Sequence, residues 1–304
     1  MKKKILITGS NGLLGQKLLE QLASHAQFDL IATAQGMNRS KLKEGYIFEV
    51  LDIANAKQVQ EVVSKHQPHY IINTAAMTNV DACEYEKELC LIANVNAVKF
   101  LVDAANIVGA HFIHLSTDFV FDGVGKGMYD EEATPNPVSF YADSKLMGEQ
   151  VVQTFAKKWS IARTIIVYGV VSDMSRSNVI LWVKKNLEEG KQINVVDDQF
   201  RTPTLADDLA RGCILIAEKE AQGIFNISGK DFMNIYELAL KVAAFWNLNA
   251  NLVSASKSET LNQPAKRPPV TGLDISKAQK ILGYAPHSFE EGLQEVERQL
   301  KRFS

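Results

Sequence analysis

The chain has 304 residues, 46% of them apolar, and its 33 basic residues nearly balance 35 acidic ones. That length suits one large domain or two ordinary ones, and the balanced charge offers no basic field for nucleic acid or an anionic membrane. No apolar run reaches the length of a secretory signal core or a membrane span, so we expect a soluble, cytoplasmic protein whose partner is a small molecule.

Short apolar runs alternate with helical patterns through the first half of the chain, which is typical of a parallel sheet covered by helices on both faces. The predicted strands are KKILIT, DLIATA, YIFEV, YIINTAA, FIHLST and IARTIIVYG. The predicted helices are LLGQKLLEQLASH, residues 55–65, residues 94–108 and SKLMGEQVVQTFAKKW. We therefore predict an α/β fold with a Rossmann-type, doubly wound parallel sheet.

The second half is less regular and predicts a smaller C-terminal substrate lobe. Its helical patterns cover residues 179–189, 205–218, 235–246 and 289–303, and INVV and GIFNIS read as strands. We expect an NAD(P)-binding domain at 1–168 and a mainly substrate-binding lobe at 169–304, in which 196–222 could return to the first domain.

The segment TGSNGLLG follows the first predicted strand and opens the first helix. Gly9 suits a tight turn, Gly12 lets a pyrophosphate approach the backbone, and Gly15 lets helix and strand pack closely. An ordinary loop would also explain three glycines, but their position favours a phosphate site at the helix N-terminus. Asn11 and Leu13 belong to the same predicted cofactor site.

The second strand ends in TAQG, without the carboxylate that usually binds the ribose of NAD. Arg39, Lys41 and Lys43 follow, and such cations suit the 2′-phosphate of NADPH, although solvated loop charges are the alternative and NADH stays open. Asp52 and the adjacent Ile53 are candidates for the adenine edge. The alternative for Asp52 is the N-cap of the next helix.

A catalytic set is predicted at the fifth strand and the helix after it. The strand ends in Ser116 and Thr117, and the segment YADSK places Tyr141 and Lys145 four residues apart on one helix face. A tyrosine exchanges protons usefully near neutral pH only when a nearby cation stabilises its phenolate. We predict that Tyr141 protonates a carbonyl oxygen that Thr117 also contacts, with hydride supplied by a nicotinamide.

Over its whole length the chain resembles the extended short-chain dehydrogenase/reductases. The resemblance is carried by TGSNGLLG, NTAA, STDFVFDG, YADSK and RTIIVYG. The segments NTAAMTNVDACE, ANVNAV, VVDDQFRTPT and KRPPVTGLDISKAQKILG are similar to the dTDP-4-dehydrorhamnose reductase family in particular. That resemblance implies NADPH-dependent reduction of a 4-keto group on a dTDP-6-deoxyhexose.

The resemblance also assigns residues to the two ligands. It implies that Thr117, Tyr141 and Lys145 are catalytic. On the cofactor side it adds Ser116, Asp52, Ala75, Ala76 and Asn96 to the glycine turn. Asn96 could instead fix only backbone geometry between the fourth and fifth strands, and the two alanines could serve only packing.

The substrate residues rest on weaker signals. Thr117, Asp118, Asn178, Arg201 and Arg267 are the candidates, because arginine can grip phosphate oxygens bidentately. Each could instead be a surface or structural residue. The stretch QFRTPT carries Arg201 where the family usually has glycine, so the sugar is left open.

No metal site is predicted. Cys83, Cys90 and Cys213 form no CxxC pair and are expected to be buried, reduced thiols. His111 and His114 lie in one predicted strand, where their spacing points them to opposite faces.

Three rival interpretations remain. A nucleotide-sugar dehydratase would need Glu after Thr117 and Asp118, where this chain has Phe119. An epimerase of the same family stays open. A regulatory subunit like the β subunit of methionine adenosyltransferase would bind NADP without catalysis.

A homodimer is one expectation for the assembly, and the sequence leaves the oligomeric state open.

Overall fold

The computed structural model describes residues 2–42, 44–125, 127–173 and 177–303. The strands in these ranges are β1 (Lys3–Thr8), β2 (Phe28–Ala34), β3 (Tyr46–Val50), β4 (Tyr70–Asn73), β5 (His111–Thr117), β6 (Met128–Tyr129), β7 (Trp159–Thr164), β8 (Val167–Tyr168), β9 (Ile193–Val196), β10 (Phe200–Arg201), β11 (Thr204–Leu205), β12 (Gly223–Asn226), β13 (Met233–Asn234), β14 (Val253–Ser256) and β15 (Val270–Leu273). The α-helices are α1 (Leu13–Leu22), α2 (Ala56–His66), α3 (Val80–Tyr85), α4 (Lys87–Leu91), α5 (Ala97–Val108), α6 (Phe140–Phe155), α7 (Val179–Glu188), α8 (Ala206–Lys219), α9 (Ile235–Phe245), α10 (Ser276–Leu282) and α11 (Phe289–Phe303).

Seven strands form the main sheet in the order β12, β7, β5, β4, β1, β2, β3. All neighbouring pairs are parallel, so the carboxyl ends of the strands share one edge. The strand order reverses between β1 and β4, where ligands bind in open sheets of this kind. This topology confirms the predicted Rossmann-type α/β fold.

Side chains of β1 alternate between the two faces of the sheet, and each face has its own core. Ile5 and Ile7 pack with Leu19 of α1 on the face that α8 also covers. Leu6 packs on the other face with Leu101 of α5. Because both faces are covered, the strands are unbroken apolar runs rather than alternating ones.

The C-terminal part has a separate core. Helices α7, α9 and α11 pack Val183, Leu238 and Leu293 against Val195 of β9. A small sheet of β13, β10, β15 and β6 lies beside this core. Helix α8 and strand β12 join the main sheet instead, so the chain crosses between the two parts more than once. The predicted limits at 168 and 169 stay a prediction.

Two predicted elements differ from the structure. The run IARTIIVYG forms two strands, β7 and β8, because Ile166 between them has φ 31°, which no strand can continue. The helix predicted at 94–108 belongs to a longer one, Lys87–Val108, with a π-helical stretch at Ile92–Asn96. By length and composition this helix could cross a membrane, but buried helices of soluble proteins pass the same test, and α5 packs into the core of the sheet.

Asn94, and not Asn96, braces the chain after β4. The Asn94 side chain accepts a hydrogen bond from the Met77 backbone N–H at 2.9 Å and donates to the Met77 carbonyl at 3.0 Å and to Ser144 Oγ at 2.9 Å. Asn94 is buried, whereas Asn96 is exposed. The backbone role considered for Asn96 is therefore wrong in position, since the π-helical turn presents Asn94 inward.

Helix α6 is fixed to β7 by a buried ion pair. Arg163 donates from Nε and Nη2 to the two carboxylate oxygens of Glu149 at 2.9 and 2.7 Å, and both side chains are almost fully buried. Charges buried this way are tolerated only when each compensates the other. The pair therefore sets how α6 lies on the sheet.

Replacing Glu149 by Gln should lower the free energy of unfolding by about 3 to 5 kcal/mol, because it leaves the buried Arg163 guanidinium uncompensated. Glu295→Gln is the matched control, since Arg298 grips Glu295 through the same two nitrogens but is largely exposed. That change should cost less than about 1 kcal/mol. Urea denaturation measures both, and equal losses would contradict the assignment.

Asn94→Ala should destabilise the fold by about 1 to 3 kcal/mol for each backbone group of Met77 left unpaired. Asn96→Ala should change the free energy of unfolding by no more than about 0.5 kcal/mol, because its side chain is exposed. Thermal and urea unfolding of the two variants tests this, and a larger loss in Asn96→Ala would reverse the assignment.

Candidate active site

The glycine turn lies at the carboxyl end of β1, beside the point where the strand order reverses. Gly9 has φ +67°, and Gly12 donates a backbone hydrogen bond to the Gly9 carbonyl at 2.8 Å. A Cβ on Gly15 would lie 2.6 Å from Ser10 Cα, so only glycine fits there. Helix α1 begins at Leu13 with no side chain capping it. Its first N–H groups and positive end therefore fit an anion such as a pyrophosphate.

Asn11 connects this turn to the loop after β2. Its side-chain amide donates to the Met37 carbonyl at 2.9 Å and accepts from the Arg39 backbone N–H at 2.8 Å. The Asn11 amide thus holds the loop that brings the exposed Arg39 towards the turn. Lys43, another predicted cation, lies outside the described residues.

Asp52 follows β3 at the same edge and does not cap α2. It accepts hydrogen bonds from Gln35 Nε2 at 3.1 Å and from the Ala54 backbone N–H at 3.0 Å. The N-cap of α2 is Asn55, which accepts from the Gln58 backbone N–H. The alternative interpretation of Asp52 is therefore wrong. Ile53 beside it is half-buried against the core of the sheet.

Ala75 and Ala76 follow β4 and are half-buried. The Ala75 backbone N–H donates to Thr8 Oγ1 at 3.3 Å. A Cβ on Gly9 would lie 2.9 Å from the Ala75 nitrogen, so the two segments touch. Small residues are needed at this contact, and they also leave the edge of the sheet accessible.

Tyr141 and Lys145 lie on one face of α6, against the end of β5. Lys145 Nζ donates to the Leu115 carbonyl at 2.6 Å, and burial lowers the pKa of Lys145 to about 8. Burial raises the pKa of Tyr141 above its ordinary value, so the phenol is protonated at neutral pH. Ser116 Oγ is buried without a hydrogen-bond partner among the described residues, which fits a polar group of a ligand at this strand end.

Thr117 and Asp118 form a hydrogen-bonded pair at the end of β5. Thr117 Oγ1 donates to Asp118 Oδ1 at 3.1 Å and accepts from the Phe119 backbone N–H at 3.2 Å. The hydroxyl of Thr271 in β15 donates to Asp118 Oδ2. Burial raises the pKa of Asp118 to about 6, and the nearby Arg201 guanidinium limits that rise. Asp118 is buried among protein groups, and the substrate contact predicted for it stays a prediction.

Arg201 and Asn178, two of the predicted substrate residues, make contacts within the chain. Arg201 is buried and donates to the carbonyls of Phe200 at 2.8 Å and Pro268 at 2.6 Å. Asn178 caps α7, and its amide donates to the Gly169 carbonyl at 2.7 Å. Arg201 Nη1 and Nη2 and the Asn178 amide thus have partners within the chain, and a contact of either side chain with a nucleotide stays a prediction.

Arg267 lines a cleft of about 520 Å³ between the two parts of the molecule. Its guanidinium is bidentate on Asp81 at 3.1 and 2.8 Å and holds the pKa of that carboxyl below its usual value. Lys266 also lines the cleft, as do Asp122 after β5 and Val138 before α6. The cleft therefore adjoins the N-terminal end of the helix that carries Tyr141.

Asn94 and Thr271 are site residues that sequence reasoning missed. Asn94 lies two residues before Asn96, which was considered from the sequence, and only the π-helical stretch decides which of the two faces inward. Thr271 reaches Asp118 across 153 residues, and no local pattern marks it.

Comparisons with known proteins show the family to which the chain belongs. The family model described as RmlD substrate binding domain matches residues 2–302. A dTDP-4-dehydrorhamnose reductase of Aggregatibacter actinomycetemcomitans is 30% identical over 96% of this chain and 98% of its own. The crystal structure of a dTDP-4-dehydrorhamnose reductase from Bacillus anthracis, in complex with NADP, superposes with a TM-score of 0.87 at 31% identity, covering 98% of this chain and 100% of that one.

A relative with a different name is equally similar. The methionine adenosyltransferase 2 subunit beta of Xenopus tropicalis is 31% identical over 92% of this chain and 82% of its own. The whole-chain family match and the full-length relatives establish the class: the chain belongs to the dTDP-4-dehydrorhamnose reductase family of extended short-chain dehydrogenase/reductases, a family of NADP-dependent oxidoreductases.

Proposed function

We propose that this protein is an NADPH-dependent reductase of a nucleotide-linked 4-keto-6-deoxysugar, with dTDP-4-dehydrorhamnose as the expected substrate. The observation that carries the proposal is the placement of Tyr141 and Lys145 on α6, against the end of β5 and beside Thr117. This placement supplies a proton donor, a cation and a hydroxyl at the strand end where ligands bind.

The cofactor supplies hydride to the carbonyl carbon when bound, and Tyr141 supplies the proton to the carbonyl oxygen. A buried phenol with a raised pKa holds its proton until the oxygen becomes strongly basic during reduction. Lys145 then stabilises the phenolate that remains. The Leu115 carbonyl keeps the Lys145 ammonium in position for this role.

The cofactor would lie along the carboxyl edge of the sheet. We expect the start of α1 to hold the pyrophosphate, Asp52 and Ile53 to border the adenine, and Ala75, Ala76 and Ser116 to border the rest of the cofactor. No acidic side chain follows β2, and Arg39 is exposed in the loop that Asn11 holds. This charge pattern supports preference for the 2′-phosphate of NADPH.

The nucleotide sugar would occupy the cleft that Arg267 and Lys266 line. Two cations there complement a pyrophosphate, and half-buried Arg267 is already oriented by Asp81. The large-sheet part, proposed as residues 1–168, would supply the chemistry, and the lobe at 169–304 would supply most of the cleft. Location in the cytoplasm and assembly as a homodimer stay predictions.

A second candidate is a regulatory cofactor-binding subunit, because relatives named methionine adenosyltransferase 2 subunit beta reach 31% identity. The complete Thr117, Tyr141 and Lys145 set favours catalysis. Affinity capture of purified methionine adenosyltransferase catalytic subunit by this protein, without turnover of any ketosugar, would favour the subunit.

The purified protein should oxidise NADPH when given dTDP-4-keto-6-deoxy-L-mannose, with a higher kcat/KM for NADPH than for NADH. Tyr141→Phe should lower kcat by roughly 10²- to 10⁴-fold, because it removes the proton donor without removing cofactor contacts. NADPH fluorescence and calorimetry check that the variant still binds cofactor. Full activity of Tyr141→Phe would remove the proposed donor, and no turnover of this or related ketosugars would reject the reductase.

The pH profile of kcat/KM should fall on the alkaline side with a midpoint near 8, where Lys145 loses its proton. The ammonium is present below that pH and lost above it, so activity decreases as pH rises. Lys145→Arg should lower the maximum rate but move this limb above pH 10, because a guanidinium stays ionised. An unchanged midpoint in Lys145→Arg would contradict the role of Lys145.

A further inference from the structure

A buried Asp118–Arg201 pair joins the catalytic strand to the second lobe. Arg201 Nε lies 3.6 Å from Asp118 Oδ2, and each side chain is at most 2% exposed. Asp118 follows β5 directly, whereas Arg201 belongs to β10. The pair therefore compensates two buried charges across the boundary between the two parts.

The rest of the Arg201 guanidinium is held rigidly by the second lobe. Nη1 donates to the carbonyls of Phe200 and Pro269 at 2.8 and 3.1 Å, and Nη2 donates to Pro268 at 2.6 Å. Pro268 and Pro269 lie immediately before β15, whose Thr271 donates to Asp118. A lysine could not make this set of contacts, because they use the separate nitrogens of a planar fork.

Two routes lead from Arg201 to the catalytic residues. Through Asp118 it reaches Thr117, whose hydroxyl donates to the carboxylate. Its guanidinium also lies 5.7 Å from the centre of the Phe119 ring, and that ring packs edge-on against Tyr141 at 6.0 Å. The first route therefore ends at Thr117 and the second at Tyr141, two residues of the proposed reaction.

We propose that Arg201 is a positioning residue for the reduction: it keeps Asp118 ionised, so that Asp118 accepts the Thr117 hydroxyl hydrogen and fixes the Thr117 side chain beside Tyr141. This inference rests on the proposed function. It gives Arg201, at a position where the family usually has glycine, the role of supporting the end of β5 through Asp118. The fixed Thr117 side chain and the Phe119 ring then hold the Tyr141 ring in place, and the hydrogen of the phenol stays available for the substrate oxygen.

The charged and titratable groups around Asp118 define a pH signature. Arg201 faces it from β10 and Tyr141 from α6. Burial lowers the pKa of the Arg201 guanidinium, and nearby Arg267 adds to that lowering. Asp118 accepts the Thr117 hydrogen bond when ionised. Since its pKa is about 6, wild-type kcat should fall below pH 6.

The test is the acidic limb of the kcat profile in the full-length protein. Arg201→Met should lower kcat at pH 7 more than tenfold and raise the midpoint of the acidic limb by at least one pH unit, with little change in KM for the ketosugar. Arg201→Lys should return the midpoint towards the wild-type value. Asp118→Asn should abolish the limb, since an amide does not titrate.

Glu149→Gln is the control for a merely structural effect, because it also unpairs a buried arginine but makes no contact with Asp118. Its acidic limb should stay at the wild-type midpoint. Thr271→Val removes a single hydrogen bond to Asp118 and should give a smaller upward shift than Arg201→Met. Equal midpoints in wild type and Arg201→Met, or the same shift in Glu149→Gln, would overturn the proposal.

A second readout separates this proposal from the proposed function. Asp118 has a higher pKa in the folded protein than its ordinary 3.8, so its contribution to stability is present at low pH and is lost as pH rises to about 6. In Arg201→Met the decrease in the free energy of unfolding should continue above pH 6, and in Asp118→Asn this decrease should be absent. Wild type without turnover rejects the reductase, whereas turnover with no pH effect of Arg201→Met rejects only the positioning role.

Discussion

The seating of α6 on the sheet is the constraint on which the site depends. Lys145 reaches the Leu115 carbonyl of β5, and Glu149, one turn further on, reaches Arg163 of β7. These contacts place one face of the helix over two neighbouring strand ends. Tyr141 lies one turn earlier on the same face, so the contacts of Lys145 and Glu149 also position Tyr141 beside Thr117.

Burial of charged groups links stability to chemistry in this site. Desolvation lowers the pKa of Lys145 to about 8 and raises that of Asp118 to about 6, so both shifts oppose the charged forms. Nearby groups limit both shifts: the Glu149 carboxylate favours the Lys145 ammonium, and Arg201 with the Thr271 and Thr117 hydroxyls favours the Asp118 carboxylate. The Lys145 ammonium and the Asp118 carboxylate are therefore both ionised only between about pH 6 and about pH 8.

Sequence patterns predicted the parts of this structure that depend on neighbouring residues. The glycine turn, the spacing of Tyr141 and Lys145, and the succession of strands and helices in the first half of the chain follow from local periodicity and backbone geometry. The alternative roles considered for Asp52 and Asn96 failed, because the exact start of α2 makes Asn55 its cap and the π-helical stretch turns Asn94 inward. Such choices depend on how a helix end meets the rest of the fold.

Long-range contacts could not be predicted in the same way. Arg201 was predicted as a phosphate ligand because arginine binds phosphate well, whereas in the structure Nη2 donates to the Pro268 carbonyl before β15 and Nε lies 3.6 Å from Asp118. The contact requires β10 and β15 to pair and to approach the end of β5, which no single segment encodes. In the proposed function, the main sheet thus carries the reductase residues. Strands β10 and β15 support Asp118 beside them, and the segment before β15 borders the cleft. Differences in substrate within this fold should therefore arise from the second lobe, since changes there can alter the cleft and the support of Thr117 together.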